Sequence, residues 1–187
     1  MRNQAAVASV VAVLLAACGG GPGRGQDDDT AGTGTTAAAG FDALATPEQV
    51  PRLAYEKFGE VLKVRRITLT RAGFTLEVRD ATKPDNLDTW RYNEGAWTSR
   101  PVSVTVREIE ALGATTFGLG AVNWKAVPGL MQQALDGLDL EGEEITAVSY
   151  DRLEGRAPRV YIGVSGLRGS GSLLADADGT DVEVRRN

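Results

Sequence analysis

Few residues in this chain are able to do chemistry, and most of those stand in patterns that serve structure. There is no histidine, which removes histidine triads, imidazole proton shuttles and nearly every zinc or copper site built on imidazole or thiolate. Carboxylates, serine, lysine and tyrosine remain. Asp176, Asp178 and Asp181 cluster beside Gly179, and hard cations favour clustered carboxylate oxygens. The spacing lacks the distant glutamate of a helix–loop–helix calcium site, however, and a hairpin turn with glycine at positive φ accounts for the same residues. Glu77 and Asp80 show no spacing that separates acid–base catalysis from ordinary surface charge. The Gly- and Ser-rich stretch 165–172 has no helical pattern behind it, so it reads as a hairpin connection rather than a phosphate loop. No catalytic residue, no metal and no cofactor is expected, and the chain reads as a non-enzyme.

The single cysteine is the exception. Cys18 follows Leu15-Ala16-Ala17, behind a positive Arg2 and an apolar run over residues 5–14. A positive residue, a short apolar segment and small residues before a cleavage point make a secretory signal. It is too short for a permanent span, which needs roughly 20 apolar residues. Leu-Ala-Ala-Cys resembles a bacterial lipobox. That resemblance implies a signal peptide over 1–17, a diacylglyceryl group on Cys18 and an extracytoplasmic protein anchored to the bacterial cell membrane by lipid. Each buried CH₂ of an acyl chain contributes about 0.8 kcal/mol, and two chains suffice where one is marginal. With its cysteine consumed, the chain has no thiol for a disulfide, so the apolar core must hold the fold.

Charge narrows the partners. The chain carries a net −5, and loss of Arg2 with the signal would make it −6, with no basic run anywhere. Nucleic acid is therefore not expected, because phosphate binding needs clustered lysine and arginine.

Residues 18–40 contain the cysteine and a Gly/Thr/Asp-rich stretch without aromatic, Leu, Ile or Val residues. Such a stretch cannot offset its ordering entropy by burial and reads as a disordered tether, with Asp27, Asp28 and Asp29 solvated. The folded part begins near Phe41 and carries signs of duplication. Val50-Pro51-Arg52-Leu53 is matched by Val127-Pro128-Gly129-Leu130, Ile67-Thr68 by Ile145-Thr146, and Glu94-Gly95 by Asp178-Gly179, in the same order at nearly constant spacing. Two α+β units are expected, over 41–110 and 111–187.

Each unit opens with a helix. Thr46 is placed to cap the first, with Pro47 and Glu48 in its first turn, and Leu53, Ala54, Phe58, Val61 and Leu62 draw an apolar stripe. Asn123 is placed to cap the second, with Leu130, Met131, Ala134, Leu135 and Leu138 on its stripe. The period then falls to two. Residues 67–70 and 74–78 form one hairpin and residues 89–98 another, turning at Glu94-Gly95, so that Tyr92 faces Trp97 with Trp90 on the same face. In the second unit, 145–150, 159–164, 172–175 and 181–185 are strands. The expected fold is α+β: two tandem helix-plus-antiparallel-meander repeats sharing one antiparallel sheet, with the helices on one face.

A helix followed by a meander that ends in Ala175-Asp176-Ala177-Asp178-Gly179-Thr180-Asp181-Val182 is similar to the PepSY-type domains of secreted bacterial proteins. The tandem pair resembles beta-lactamase-inhibitor-protein-like domains over residues 45–186. The resemblance implies a non-enzymatic binding or regulatory module working with envelope proteins or peptides. Trp90, Tyr92 and Trp97 are the candidate binding residues if they lie on the uncovered face of the sheet, and core residues if they do not. The competing reading is a lipid or small-molecule carrier with a cavity between sheet and helices. Cys18→Ser should abolish lipidation and free the protein from membranes, since serine offers no sulfur for a thioether. Fatty-acid labelling of the variant checks this, and undiminished label would refute the lipid anchor.

Overall fold

The computed structural model describes residues 41–187, so Cys18, the signal segment and the tether lie outside the described residues. The described residues form an α+β fold with three α-helices and one eight-stranded antiparallel sheet. Helix α1 (Gln49–Phe58) leads into β1 (Val64–Thr70), β2 (Gly73–Arg79), β3 (Leu87–Asn93) and β4 (Ala96–Pro101). Helix α2 (Val106–Thr115) and two short 3₁₀ turns then reach α3 (Val127–Leu138), followed by β5 (Glu144–Asp151), β6 (Arg159–Gly166), β7 (Gly169–Asp176) and β8 (Glu183–Arg186). Strand order is β4-β3-β2-β1-β5-β6-β7-β8, so each set of four strands is a meander and β1 joins β5 at the centre.

The turns follow from local chemistry. Glu94 (φ 51°) and Gly95 (φ 79°) make a two-residue turn with both centres left-handed, which matches the strand twist and sets Tyr92 opposite Trp97. At the counterpart turn, Gly179 sits at φ 95°. There the Asp178 carboxylate accepts from the Thr180 amide (2.9 Å) and hydroxyl (2.7 Å), bonds that hold its pKa below the usual carboxylate range. Asp176 and Asp181 face Arg159 at 3.5 and 3.6 Å.

Alternation places Ile67, Leu69, Phe74, Leu76, Val148, Tyr150, Ile162 and Leu173 on one face, all at 0–1% exposure. They share a core with Val50 and Ala54 of α1 and Val127, Leu130, Ala134 and Leu138 of α3. These side chains pack between the helices and the sheet. The Tyr150 hydroxyl is buried there with no hydrogen-bond partner among the described residues, and burial pushes its pKa up.

Both helix starts differ from expectation. The Thr46 hydroxyl donates to the Asp42 carbonyl (3.0 Å) instead of capping α1, and the helix ends at Phe58, where Gly59 takes φ 80°. Val61 is therefore outside the helix and 80% exposed. Asn123 reaches away from α3 to the β7–β8 turn, donating from its backbone to Ala177 and from its side chain to Asp178.

The helices do not all lie on one face. A bulge between Val64 and Arg66 lets Arg65 reach Glu77 (2.7 Å), which points away from the core, and Glu108 of α2 (3.4 Å). Leu87 and Leu112 are buried yet stand apart from the main core cluster. Helix α2 thus lies against the opposite face. It starts at a capping box in which Thr105 and Glu108 satisfy each other's amides, and Leu112 is its sole buried residue. That is too little apolar surface to claim a place in the core. The boundary expected at 110/111 falls inside this helix. Beyond it, Val64 and Phe117 exchange both backbone hydrogen bonds (2.9 and 2.8 Å), and the chain returns to the core side, where Phe117, Leu119, Val122 and Trp124 join the cluster.

The end of α3 packs closely because β7 opens with glycine. A Cβ on Gly171 would collide with Leu138 and lie 2.7 Å from the Arg185 carbonyl oxygen, whereas Gly120 has no atom within 4 Å. Gly171→Ala should therefore cost roughly 1–3 kcal/mol by overpacking, and Gly120→Ala should stay within about 0.5 kcal/mol of the parent. Denaturant melts of both variants check the difference.

Candidate functional site

A cleft of about 340 Å³ opens where α1 stops short of the end of the sheet. That volume lies at the lower end of the range for small-ligand pockets, about 300–1,000 Å³. Its walls come from three segments. Phe58 closes the helix, Val61 and Leu62 follow in the connection to β1, and Val78 and Trp90 stand on β2 and β3. Ala81 and Pro84 supply the opposite wall from the β2–β3 loop. Lys63, Asp80 and Asp88 mark the polar rim.

Hydrogen bonds hold this loop in shape. The Asp80 carboxylate accepts from the Thr82 hydroxyl (2.8 Å) and from the amides of Thr82 (2.7 Å) and Lys83 (3.0 Å). Those bonds keep its pKa below the usual carboxylate range, the Thr82 hydroxyl foremost. Arg79 Nε donates to the Pro84 carbonyl at 2.6 Å. Asp80 is thus committed to the loop and not poised as a base, since a base near neutrality needs a raised pKa.

Trp90 is the fixed element of the cleft. Its ring meets Phe58 edge-on at 5.2 Å, and Lys57 Nζ lies 5.1 Å from its centroid. The structure does bring Trp90, Tyr92 and Trp97 together, but on the helix-bearing face. Trp97 packs on Tyr92 (5.1 Å), Phe58 (5.3 Å) and Phe74 (5.4 Å), and Phe41 closes over Tyr92 (5.5 Å). All three are half-buried against the core, so they do not form a patch on the uncovered face. Edge-on aromatic packing of this kind fixes ring positions. Tyr92 and Trp97 are walled in by other rings, and Trp90 alone lines the cleft.

In the other half, built from α3 and β5–β8, side chains of the described residues close the corresponding place. There Leu138 lies over Gly171, and Leu140 lies 2.9 Å from where a Cβ on Gly166 would stand. Glycines in the second half let the helix end settle on the sheet, whereas in the first α1 ends with Phe58 against the Trp90 ring. The sequence carried no sign of this, because it depends on where α1 stops.

Among the described residues, no helix is long and apolar enough to cross a membrane. No family profile matches the sequence, and no curated protein matches it. A solved structure of a candidate lipoprotein from Clostridium difficile 630 does match in shape. It is 11% identical, with a TM-score of 0.51, over 75% of this chain and 92% of the other. At that identity the likeness bears on the fold alone.

Proposed function

We propose that the chain is a membrane-anchored envelope lipoprotein that works without catalysis, binding a protein or peptide through an apolar side chain seated in the Trp90 cleft. The observation that carries this reading is the cleft itself: an apolar opening floored by a braced tryptophan, with an exposed valine at its mouth. Aromatic rings held rigid before binding make good anchors, since little entropy remains to be lost. The position of Phe41 agrees with it. Phe41, where the described chain begins, packs by Phe74 and Tyr92 near the β1–β2 and β3–β4 turns, while the cleft lies toward the other end of the sheet.

Three further strands of support concern identity. The lipobox-like Leu15-Ala16-Ala17-Cys18 would supply the anchor, and a shape-matched protein carries a lipoprotein description. The three sequence landmarks fall on matching elements, in α1 and α3, in β1 and β5, and in the β3–β4 and β7–β8 turns. That agreement supports a tandem duplication of helix-plus-meander units, one holding α1 with β1–β4 and the other α3 with β5–β8, with α2 between them; the PepSY-like kind is the reading we keep for them. The carrier reading would place its ligand in this same cleft, whose volume of about 340 Å³ is at the small end for a ligand pocket.

A photocrosslinking residue at Val61 in the producing cells tests the proposal and separates the two readings. A discrete protein adduct should form, disappear with Trp90→Ala, and persist when the exposed Arg71 is replaced by alanine. Adducts with lipid only, or a protein adduct indifferent to Trp90, would contradict it.

A further inference from the structure

The face of β1–β4 away from the core, outside the part that α2 covers beside Arg65, Arg66 and Asp151, presents a second surface, independent of the cleft. Cross-strand pairing sets Ser149, Thr68, Thr75, Arg91 and Thr98 in one row over five strands. The next row runs Asp151, Arg66, Glu77, Thr89 and Arg100. At about 4.8 Å between strands, each row is about 19 Å long. A concavity of about 380 Å³ lies on it, lined by Thr70, Thr75, Thr89, Arg91, Thr98 and Arg100 among others.

Two properties characterise this surface. Arg91 and Arg100 are exposed and make no ion pair with a described residue, in a chain that is acidic overall. The carboxylates of the second row are already engaged, Glu77 by Arg65 at 2.7 Å and Asp151 by Arg66 at 3.9 Å. What is left free is two guanidinium groups amid a field of threonine hydroxyls.

We propose that this face binds an acidic polysaccharide, laid across the strands. Guanidinium matches a carboxylate with two parallel N–H···O bonds. Threonine hydroxyls donate and accept, as sugar hydroxyls require. The length of the rows suits a polymer better than a single ion. Single-stranded nucleic acid is disfavoured, because it is held by successive bases stacking on several aromatic side chains; Trp90, Tyr92 and Trp97 lie on the other face, and Tyr161, exposed opposite Ser149 at the end of the first row, offers a single ring. Arginines from separate strands also explain how a basic surface arises in a sequence with no basic run.

The test is titration of the full chain, purified in detergent, with polygalacturonate, with neutral dextran and with oligothymidylate of matched charge. Polygalacturonate should bind, weaken with salt, and exceed the other two at least about tenfold. Arg91→Gln with Arg100→Gln should weaken it by about tenfold or more, the effect of losing charge-assisted bonds, with melting unchanged because both side chains are exposed. No binding of polygalacturonate, equal binding of the oligonucleotide, or full binding by the double variant would overturn the proposal.

Discussion

The antiparallel pairing of β1 with β5 is the contact on which the rest of this molecule depends. It spans four residue pairs, from Arg66 opposite Asp151 to Leu69 opposite Val148. Within it Ile67, Leu69, Val148 and Tyr150 are all buried at the centre of the core. Without this ladder each meander would expose a long unpaired edge, the usual route to misassociation. With it, the outer edges are β4 and β8, and β8 is short and charged. The antiparallel sense also turns the second meander end for end. The chain leaving β4 must therefore travel to reach the start of α3, and α2 with the Val64–Phe117 bridge is the path it takes.

That path divides the two faces of the sheet. Helices α1 and α3 share the main core with the apolar face, while α2 covers part of the other face around Leu87 and Leu112. The rest of that face keeps its hydroxyls and arginines in water. The cleft arises from the same economy: α1 ends at Phe58, and the braced loop over residues 80–86 stands away from it. The exposed arginines thus stand on the side of the strands away from the core, while the cleft is cut into the core side beside Trp90.

Period and turn chemistry made much of this legible in the sequence. Alternation from Phe74 to Val78 and the Glu94-Gly95 turn determine pairing because each residue's face follows from its neighbour's. The stripe from Leu130 to Leu138 identifies α3 for the same reason. Helix α2 was not anticipated, although Thr105-Val106-Arg107-Glu108 is a capping-box pattern that could have revealed it. The apolar stripe of α1 ran on to Leu62, but Gly59 at positive φ ends the helix a turn early. Which face Trp90, Tyr92 and Trp97 occupy was open, since period two gives a shared face without saying which side the helices cover. The rows of threonine and arginine need strand register, which depends on contacts far apart in the chain.

Hydrogen exchange in native protein tests most directly that the two meanders form one cooperative sheet across the β1–β5 seam. The hydrogen-bonded amides of β1 and β5 should exchange only through global unfolding, with the same free energy and denaturant dependence as those of β2 and β6. A distinct, lower-energy opening of the seam, leaving β2 and β6 protected, would show two units that fold apart, and would contradict the account.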